Sequence, residues 1–247
     1  MQLGIKIWSI NFDLIKEAKK IEDRIDFLEV YFVPKTPKKN ISELKKINIP
    51  IIVHAPIELH GFNLADKNNN TQNNLILKKV INFSNQLKSK KIIFHPGSGG
   101  DIENVISMLK NIKNKEIFIE NLTKEGINGE KMIGFLPENI ARIKKELNCE
   151  LCLDLSHAIK AAFSLKKDYK KFIKELLKLK PILFHLTGGN SNVEIDEHLN
   201  LWDGDFDLNF LKKTIKENNA QVTFETPKKN LKTLSQDLKN IDFFRKI

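Results

Sequence analysis

Eight short apolar runs, each followed by a segment with helical spacing, recur from one end of the chain to the other. No other feature limits the fold as strongly. The runs are Leu3 to Trp8, Asp26 to Phe32, Pro50 to His54, Lys91 to His95, Glu116 to Glu120, Glu150 to Asp154, Ile182 to Leu186 and Gln221 to Glu225. Their β-branched, apolar character reads as strand. Between them, Ile76, Val80, Phe83 and Leu87 recur at the spacing of an amphipathic helix, as do Ile140, Ile143 and Leu147, and Leu208, Leu211 and Ile215. Pro137 suits a first helical position and Asp207 an N-cap before Leu208. Strands this continuously apolar are buried on both faces, which is the condition of a parallel sheet. An open doubly wound sheet would carry a glycine-rich turn after its first strand, and Lys6-Ile7-Trp8-Ser9-Ile10-Asn11 has no glycine. A length of 247 residues is that of one closed barrel of eight strand-helix units. The expectation is an α/β fold, a single (β/α)8 TIM-barrel domain over residues 1–247.

Composition adds mostly exclusions. With 41% hydrophobic and 29% charged residues the chain is neither disordered nor collagen-like. No window approaches eighteen uninterrupted apolar residues, and Met1 to Ile10 lacks the pattern of a secretory leader. A cytoplasmic monomer with no membrane partner is therefore expected. The net charge of +10 is almost all lysine, since Arg24, Arg142 and Arg245 are the only arginines, and it lends weak support to an anionic partner. Cys149 and Cys152 spell C-x-x-C, but on a strand residues three apart point to opposite faces, so two buried thiols are expected rather than a redox or metal pair. Lys67 to Asn70 reads as a polar loop.

Polar residues of one kind collect at the ends of these strands. His54, His95, Glu120, Asp154, His185 and Glu225 each follow an apolar strand residue, and His157, Asp196 and His198 come shortly after two of the strands. In a parallel barrel all C-terminal strand ends share one rim, so residues far apart in sequence would meet at one mouth. Any one of them has an ordinary alternative, a hydrogen-bonded structural histidine or a carboxylate capping a helix. Nine together would repel or desolvate one another without cations to neutralise them. Imidazole mixed with carboxylate suits zinc, manganese or iron rather than a site made of oxygen alone.

The stretches His54-Ala-Pro, Phe94-His95-Pro96-Gly97-Ser98, Ile119-Glu120-Asn121, Leu153-Asp154-Leu155-Ser156-His157-Ala158, Phe184-His185-Leu186, Asp196-Glu197-His198 and Phe224-Glu225-Thr226-Pro227 resemble, in this order, the signature of the endonuclease IV and xylose isomerase-like barrel superfamily. The resemblance implies a metal centre at the C-terminal mouth. By likeness to endonuclease IV, up to three Zn2+ ions would be held by His54, His95, bridging Glu120, Asp154, His157, His185, Asp196, His198 and Glu225. The activity implied is cleavage of DNA at abasic sites, with Glu120 orienting the nucleophile. The sugar isomerase and epimerase branch uses a smaller set, corresponding to Glu120, Asp154, His185 and Glu225. These would hold one Mn2+ or another divalent ion, with a small sugar as substrate and Glu120 and Glu225 as acid and base.

Features outside this set divide between the two branches. Lys35, Lys38 and Lys39 after the second strand, Lys67 and Lys124 after the third and fifth, and Lys228 and Lys229 after the eighth would put cations on the rim for DNA phosphates. Against that, Ile57-Glu58-Leu59-His60 stands where the endonucleases carry an aromatic wedge, and Glu58 would face phosphates badly. Glu29 echoes the sugar-acting branch or is an ion-paired barrel residue. His60 reads as a surface histidine.

Overall fold

The computed structural model describes residues 1–247, and its eight strands close into a parallel barrel in sequence order. The strands are β1 (Gln2–Trp8), β2 (Phe27–Tyr31), β3 (Ile51–His54), β4 (Lys91–Phe94), β5 (Glu116–Glu120), β6 (Glu150–Asp154), β7 (Leu183–Leu186) and β8 (Gln221–Phe224). Every expected run forms a strand, several of them trimmed by a residue at an end. The helices are α1 (Phe12–Lys20), α2 (Lys38–Leu44), α3 (Asn70–Gln86), α4 (Ile102–Leu109), α5 (Pro137–Leu147), α6 (Leu155–Ser164), α7 (Tyr169–Leu177), α8 (Leu208–Glu217) and α9 (Ser235–Lys246). Two helices, α6 and α7, fill the connection between β6 and β7. The polar stretch expected as a loop instead forms a 3-10 turn, Lys67–Asn69, that runs into α3.

Helix ends follow their capping chemistry. Asp101, Asp154, Asp168 and Asp207 each accept a backbone N–H two or three residues inside the following helix, and Pro137 opens α5. The outward strand residues and the apolar helix faces merge in one continuous core that includes Ile5, Val53, Ile76, Val80, Ile143, Leu153 and Phe224.

A second, smaller cluster fills the barrel itself. Phe27, Ile52, Ile93, Phe118, Cys152 and Leu183, one from each of six consecutive strands, form an apolar plug. Gly4 completes that layer on β1, where a Cβ would stand 2.4 Å from the Phe27 ring. Side chains alternate along a strand, so the residue two positions on faces inward again, one layer nearer the mouth. That residue is Lys6 after Gly4, Glu29 after Phe27, His54 after Ile52, His95 after Ile93, Glu120 after Phe118, Asp154 after Cys152 and His185 after Leu183. The plug thus becomes a floor, and the layer above it carries almost nothing but ionisable groups. Cys149, one residue before β6 rather than on it, sits in the outer core and Cys152 in the plug; both are buried and free.

Candidate metal centre

All nine carboxylates and imidazoles singled out by the sequence meet in this upper layer or just above it. Three of them end their strands, His54, Glu120 and Asp154, while His95 and Glu225 lie one residue beyond theirs. His185 departs from the strand-end pattern, standing one position inside β7, where the inward face rather than the strand terminus brings it to the mouth.

Glu120 is the hub. Its Oε2 lies 3.1 Å from His54 Nε2 and 3.2 Å from His95 Nε2, while its Oε1 lies 3.3 Å from His185 Nδ1 and 3.4 Å from His157 Nδ1. One carboxylate therefore serves two groups with different oxygens. The donor atoms of His54, His95 and Glu120 lie within 4.8 Å of one another, and so do those of Glu120, Asp154, His185 and Glu225. Asp196 joins a third group, with Oδ2 at 3.4 Å from His157 Nε2 and 2.5 Å from His198 Nε2.

The imidazoles are oriented from behind. His54 Nδ1 is 2.6 Å from the Ala55 carbonyl, His157 Nδ1 is 2.9 Å from the Asn121 carbonyl, and His198 Nδ1 is 2.8 Å from the Glu225 carbonyl. His185 turns its Nε2 to buried Glu29, at 2.9 Å. Each carbonyl or carboxylate accepts one ring N–H and leaves the opposite nitrogen facing the carboxylates, the arrangement by which outer partners set the tautomer of a metal-binding histidine. Asn121 pins the neighbouring turn, its side chain bonding both the N–H and the carbonyl of Asp154. Asp154 in turn caps α6 by accepting the His157 N–H, so cap and candidate ligand are one residue.

Charge in this layer is unbalanced unless something positive is shared. Burial would raise Glu120, but the imidazoles of His185 and His95 outweigh it and hold it well below the usual carboxylate range. Burial would lower His157, but Asp154, Asp196 and Glu120 push it up to about 10. His198 is raised in the same way, to about 9, chiefly by Asp196 against its burial. In a metal-free chain protons on the imidazoles would thus balance the acids. A divalent cation can replace them, and two atoms favour that exchange. His185 Nδ1 stands 2.6 Å from Glu225 Oε1 yet is not aligned for a hydrogen bond, and Asp196 Oδ1 is buried with no partner. Buried polar atoms without partners are costly, and coordination would satisfy both. The residues present therefore fit a metal.

The mouth holds a cavity of about 310 Å³, and its lining includes residues that the sequence reading did not place there. Lys6 is the most consequential, with Nζ at 2.7 Å from Glu225 Oε1 and 3.4 Å from Glu29 Oε1. The signal for it was its position two residues after Gly4 on an inward-facing strand. Glu29, fully buried, accepts from Thr223 Oγ1 at 2.7 Å as well as pairing with His185, so it is an ion-paired barrel residue that also orients a candidate ligand. His60 is not a plain surface residue: its Nδ1 is 3.1 Å from the Tyr31 hydroxyl, which also accepts the Ile57 N–H, and both side chains line the cavity.

The rim lysines fare differently. Of Lys35, Lys38, Lys39, Lys124, Lys228 and Lys229, only Lys228 lines the cavity, and it is not free. Its ammonium is spent on a buried ion pair with Asp237 of α9 and on the Thr226 carbonyl. Lys38 and Lys39 stand at the start of α2 rather than in the preceding loop, and Lys39 lies over the Phe12 ring. Lys35, Lys38, Lys39 and Lys229 are exposed, outside the cavity.

A closed eight-stranded barrel with this donor set at its mouth defines a class. The sequence profile described as xylose isomerase-like TIM barrel matches residues 16–247, and the chain belongs to that family. It is 22% identical over 218 residues to the uncharacterized protein MJ1311 of Methanocaldococcus jannaschii, an alignment covering 82% of this chain and 72% of that one. Among solved structures, a D-tagatose 3-epimerase-like protein superposes with a TM-score of 0.76 at 22% identity, covering 100% of this chain and 96% of that one. Endonuclease IV from Thermus thermophilus superposes equally well, with a TM-score of 0.76 at 17% identity, covering 100% of this chain and 98% of that one. At these identities the likeness is one of fold. No helix is long and apolar enough to cross a membrane.

Proposed function

We propose that the protein is a divalent-metal-dependent phosphodiester hydrolase of the endonuclease IV type, acting on abasic sites in DNA with zinc as the resident metal. The observation that carries this reading is the division of Glu120, whose Oε2 faces His54 and His95 at 3.1 and 3.2 Å while its Oε1 faces His185 at 3.3 Å. A carboxylate with one oxygen toward each of two donor groups is the arrangement that lets metals sit side by side. His54, His95 and Glu120 would hold one cation; Glu120, Asp154, His185 and Glu225 a second; His157, Asp196 and His198 a third. When bound, such ions lower the pKa of water, polarise a phosphoryl oxygen and neutralise a leaving alkoxide.

The chain's own groups do the rest. Glu120, kept ionised by its imidazole neighbours, accepts a hydrogen bond from the attacking water and so aims it. Lys6, although paired with Glu225 and Glu29, lines the cavity and sets a fixed positive charge beside an anionic oxygen bound there. Trp8, Tyr31, Ile57 and Leu59 supply the apolar part of the cavity lining.

A second reading has its own support. A cavity of about 310 Å³ is of small-ligand size, and Glu120, Asp154, His185 and Glu225 alone make a one-metal set. On that reading the protein is a sugar or sugar-phosphate isomerase or epimerase, in which Glu120 and Glu225 exchange a proton at a substrate carbon. One experiment separates them. Purified without added metal or chelator, the protein is assayed for metal content and for nicking of a duplex carrying one abasic analogue, and in parallel for exchange of carbon-bound hydrogen between ketoses and solvent. Two or three metals with chelator-sensitive nicking support the hydrolase. One metal with solvent exchange and no nicking overturns it.

A further inference from the structure

The connection between β7 and α8, residues 187–207, is long and nearly without regular structure, yet it carries Asp196 and His198. A loop of that kind wanders unless something holds it. Two mutual backbone bonds join Gly188 to Leu199, and Asn240 of α9 bonds Asn200 and Leu201; the span between Gly188 and Leu199, which carries both residues, is fastened by Lys160, a lysine with no solvent exposure on α6. Its Nζ donates to Glu197 Oε2 and to the Asn190 carbonyl, each at 2.7 Å, and lies 5.5 Å from the centre of the Phe206 ring. Glu197 also accepts from the Asn190 N–H and from the Asn190 side-chain amide, both at 2.8 Å. Lys160, Asn190 and Glu197 thus form a closed ring between the helix and the loop.

Glu197 lies between the two candidate ligands of the loop. The third member of that group, His157, lies one turn before Lys160 on the same helix. One rigid element therefore presents a ligand directly and, a turn later, fastens the segment that supplies the other two. The loop's path is otherwise tightly set: His198 adopts a left-handed backbone at φ 47°, and at Gly204 a Cβ would stand 2.1 Å from the Gly189 carbonyl oxygen. Asp196 Oδ2 ends 3.4 Å from His157 Nε2 and 2.5 Å from His198 Nε2.

We infer that Lys160 is a positioning residue, and that its ion pair with Glu197 aims Asp196 and His198 at His157 so that this group holds its own metal ion. The inference rests on the multi-metal reading above. Removing an outer-shell partner costs about 10- to 100-fold in metal affinity, and the loss falls on one ion only, because Lys160 touches none of the residues of the other two groups.

The test is metal content per folded chain after dialysis against a weak chelator, with Co2+ substitution giving a spectrum for each occupied position. The wild-type protein is expected to retain three ions. Lys160→Met is expected to lose one and keep two, with the Co2+ bands of the other positions unchanged. Where Lys160→Met fails to fold, the double variant Lys160→Met/Glu197→Met removes both charges so that neither is left unpaired, and it too should hold two. Ile143→Ala, a core truncation on α5 away from the mouth, lowers thermal stability without touching the loop and should hold three. Three ions in the wild type and three in both Lys160 variants overturn the inference alone. Two ions in the wild type overturn the inference and leave the multi-metal reading standing; a single ion overturns both.

Discussion

Lys6 Nζ lies 2.7 Å from Glu225 Oε1, and the same oxygen lies 2.6 Å from His185 Nδ1. His185 Nε2 pairs with Glu29 Oε2 at 2.9 Å, and Glu29 Oε1 returns to Lys6 at 3.4 Å. Four residues from β1, β2, β7 and the end of β8 thus close a ring of alternating charge on one side of the mouth. The ring places the single ammonium of the donor layer where a bound anion would feel it.

Lys6 should therefore matter to anion binding more than to metal retention. A charged hydrogen bond contributes about 1.5–3 kcal/mol, so Lys6→Met is expected to weaken inorganic phosphate binding by the metal-loaded protein about 10- to 100-fold, while metal content stays near the wild-type value. Calorimetric titration with phosphate measures it. Unchanged phosphate affinity would remove Lys6 from substrate recognition.

Glu29 acts through His185. Glu29→Gln keeps the size of the side chain but removes the charge that His185 Nε2–H faces, and the affinity of the Glu120, Asp154, His185 and Glu225 group should fall about 10- to 100-fold. Chelator competition followed by elemental analysis reads the change. Equal retention in Glu29→Gln and wild type would make Glu29 a partner of Lys6 and Thr223 only.

Sharing of Glu120 predicts an uneven response to ligand removal. His54→Ala and His198→Ala belong to different groups and are each expected to cost one ion. Glu120→Ala belongs to two groups and is expected to cost two, with near-complete loss of nicking. If Glu120→Ala loses no more metal than His54→Ala, the bridging role is excluded.

Stability and metal affinity should run in opposite directions with pH. His157 is raised to about 10 in the folded metal-free chain, against about 6.5 in an unfolded one. A raised folded-state pKa gives stability that is complete below pH ~6.5 and disappears as pH climbs through 10. Melting temperature of the stripped protein should accordingly fall between pH 6.5 and 10. Metal must displace the same proton, so its affinity should rise over that window. Thermal melts and metal titrations at several pH values across it test both slopes, and a stripped protein that gains stability as pH rises would contradict the assignment.

Gly4 is a packing prediction independent of metal. A methyl group there meets the Phe27 ring at 2.4 Å, and overpacking of this kind costs about 1–3 kcal/mol. For a chain of this size, that lowers the melting temperature by about 2–4 °C per kcal/mol, measurable by calorimetry. Gly4→Ala with wild-type stability would mean that the plug can shift to admit it.

The barrel, its strand order and most of the donor layer were legible in the chain alone, because they depend on local periodicity. Apolar strands that close on a donor, as in Val53 to His54 or Ile119 to Glu120, place that donor at the barrel mouth without reference to any other part of the molecule. Partnership was not legible. The Lys6–Glu225 contact joins residues 219 positions apart, and nothing in the order of residues reveals which inward-facing groups meet when the first and last strands close the barrel. The same limit applied to Lys228, taken up by Asp237 rather than left free on the rim, and to His60, held by Tyr31. Sequence determined which residues point inward. Only the closed tertiary structure decided which charges neutralise one another, because electrostatic pairing depends on distance through space while periodicity depends only on distance along the chain.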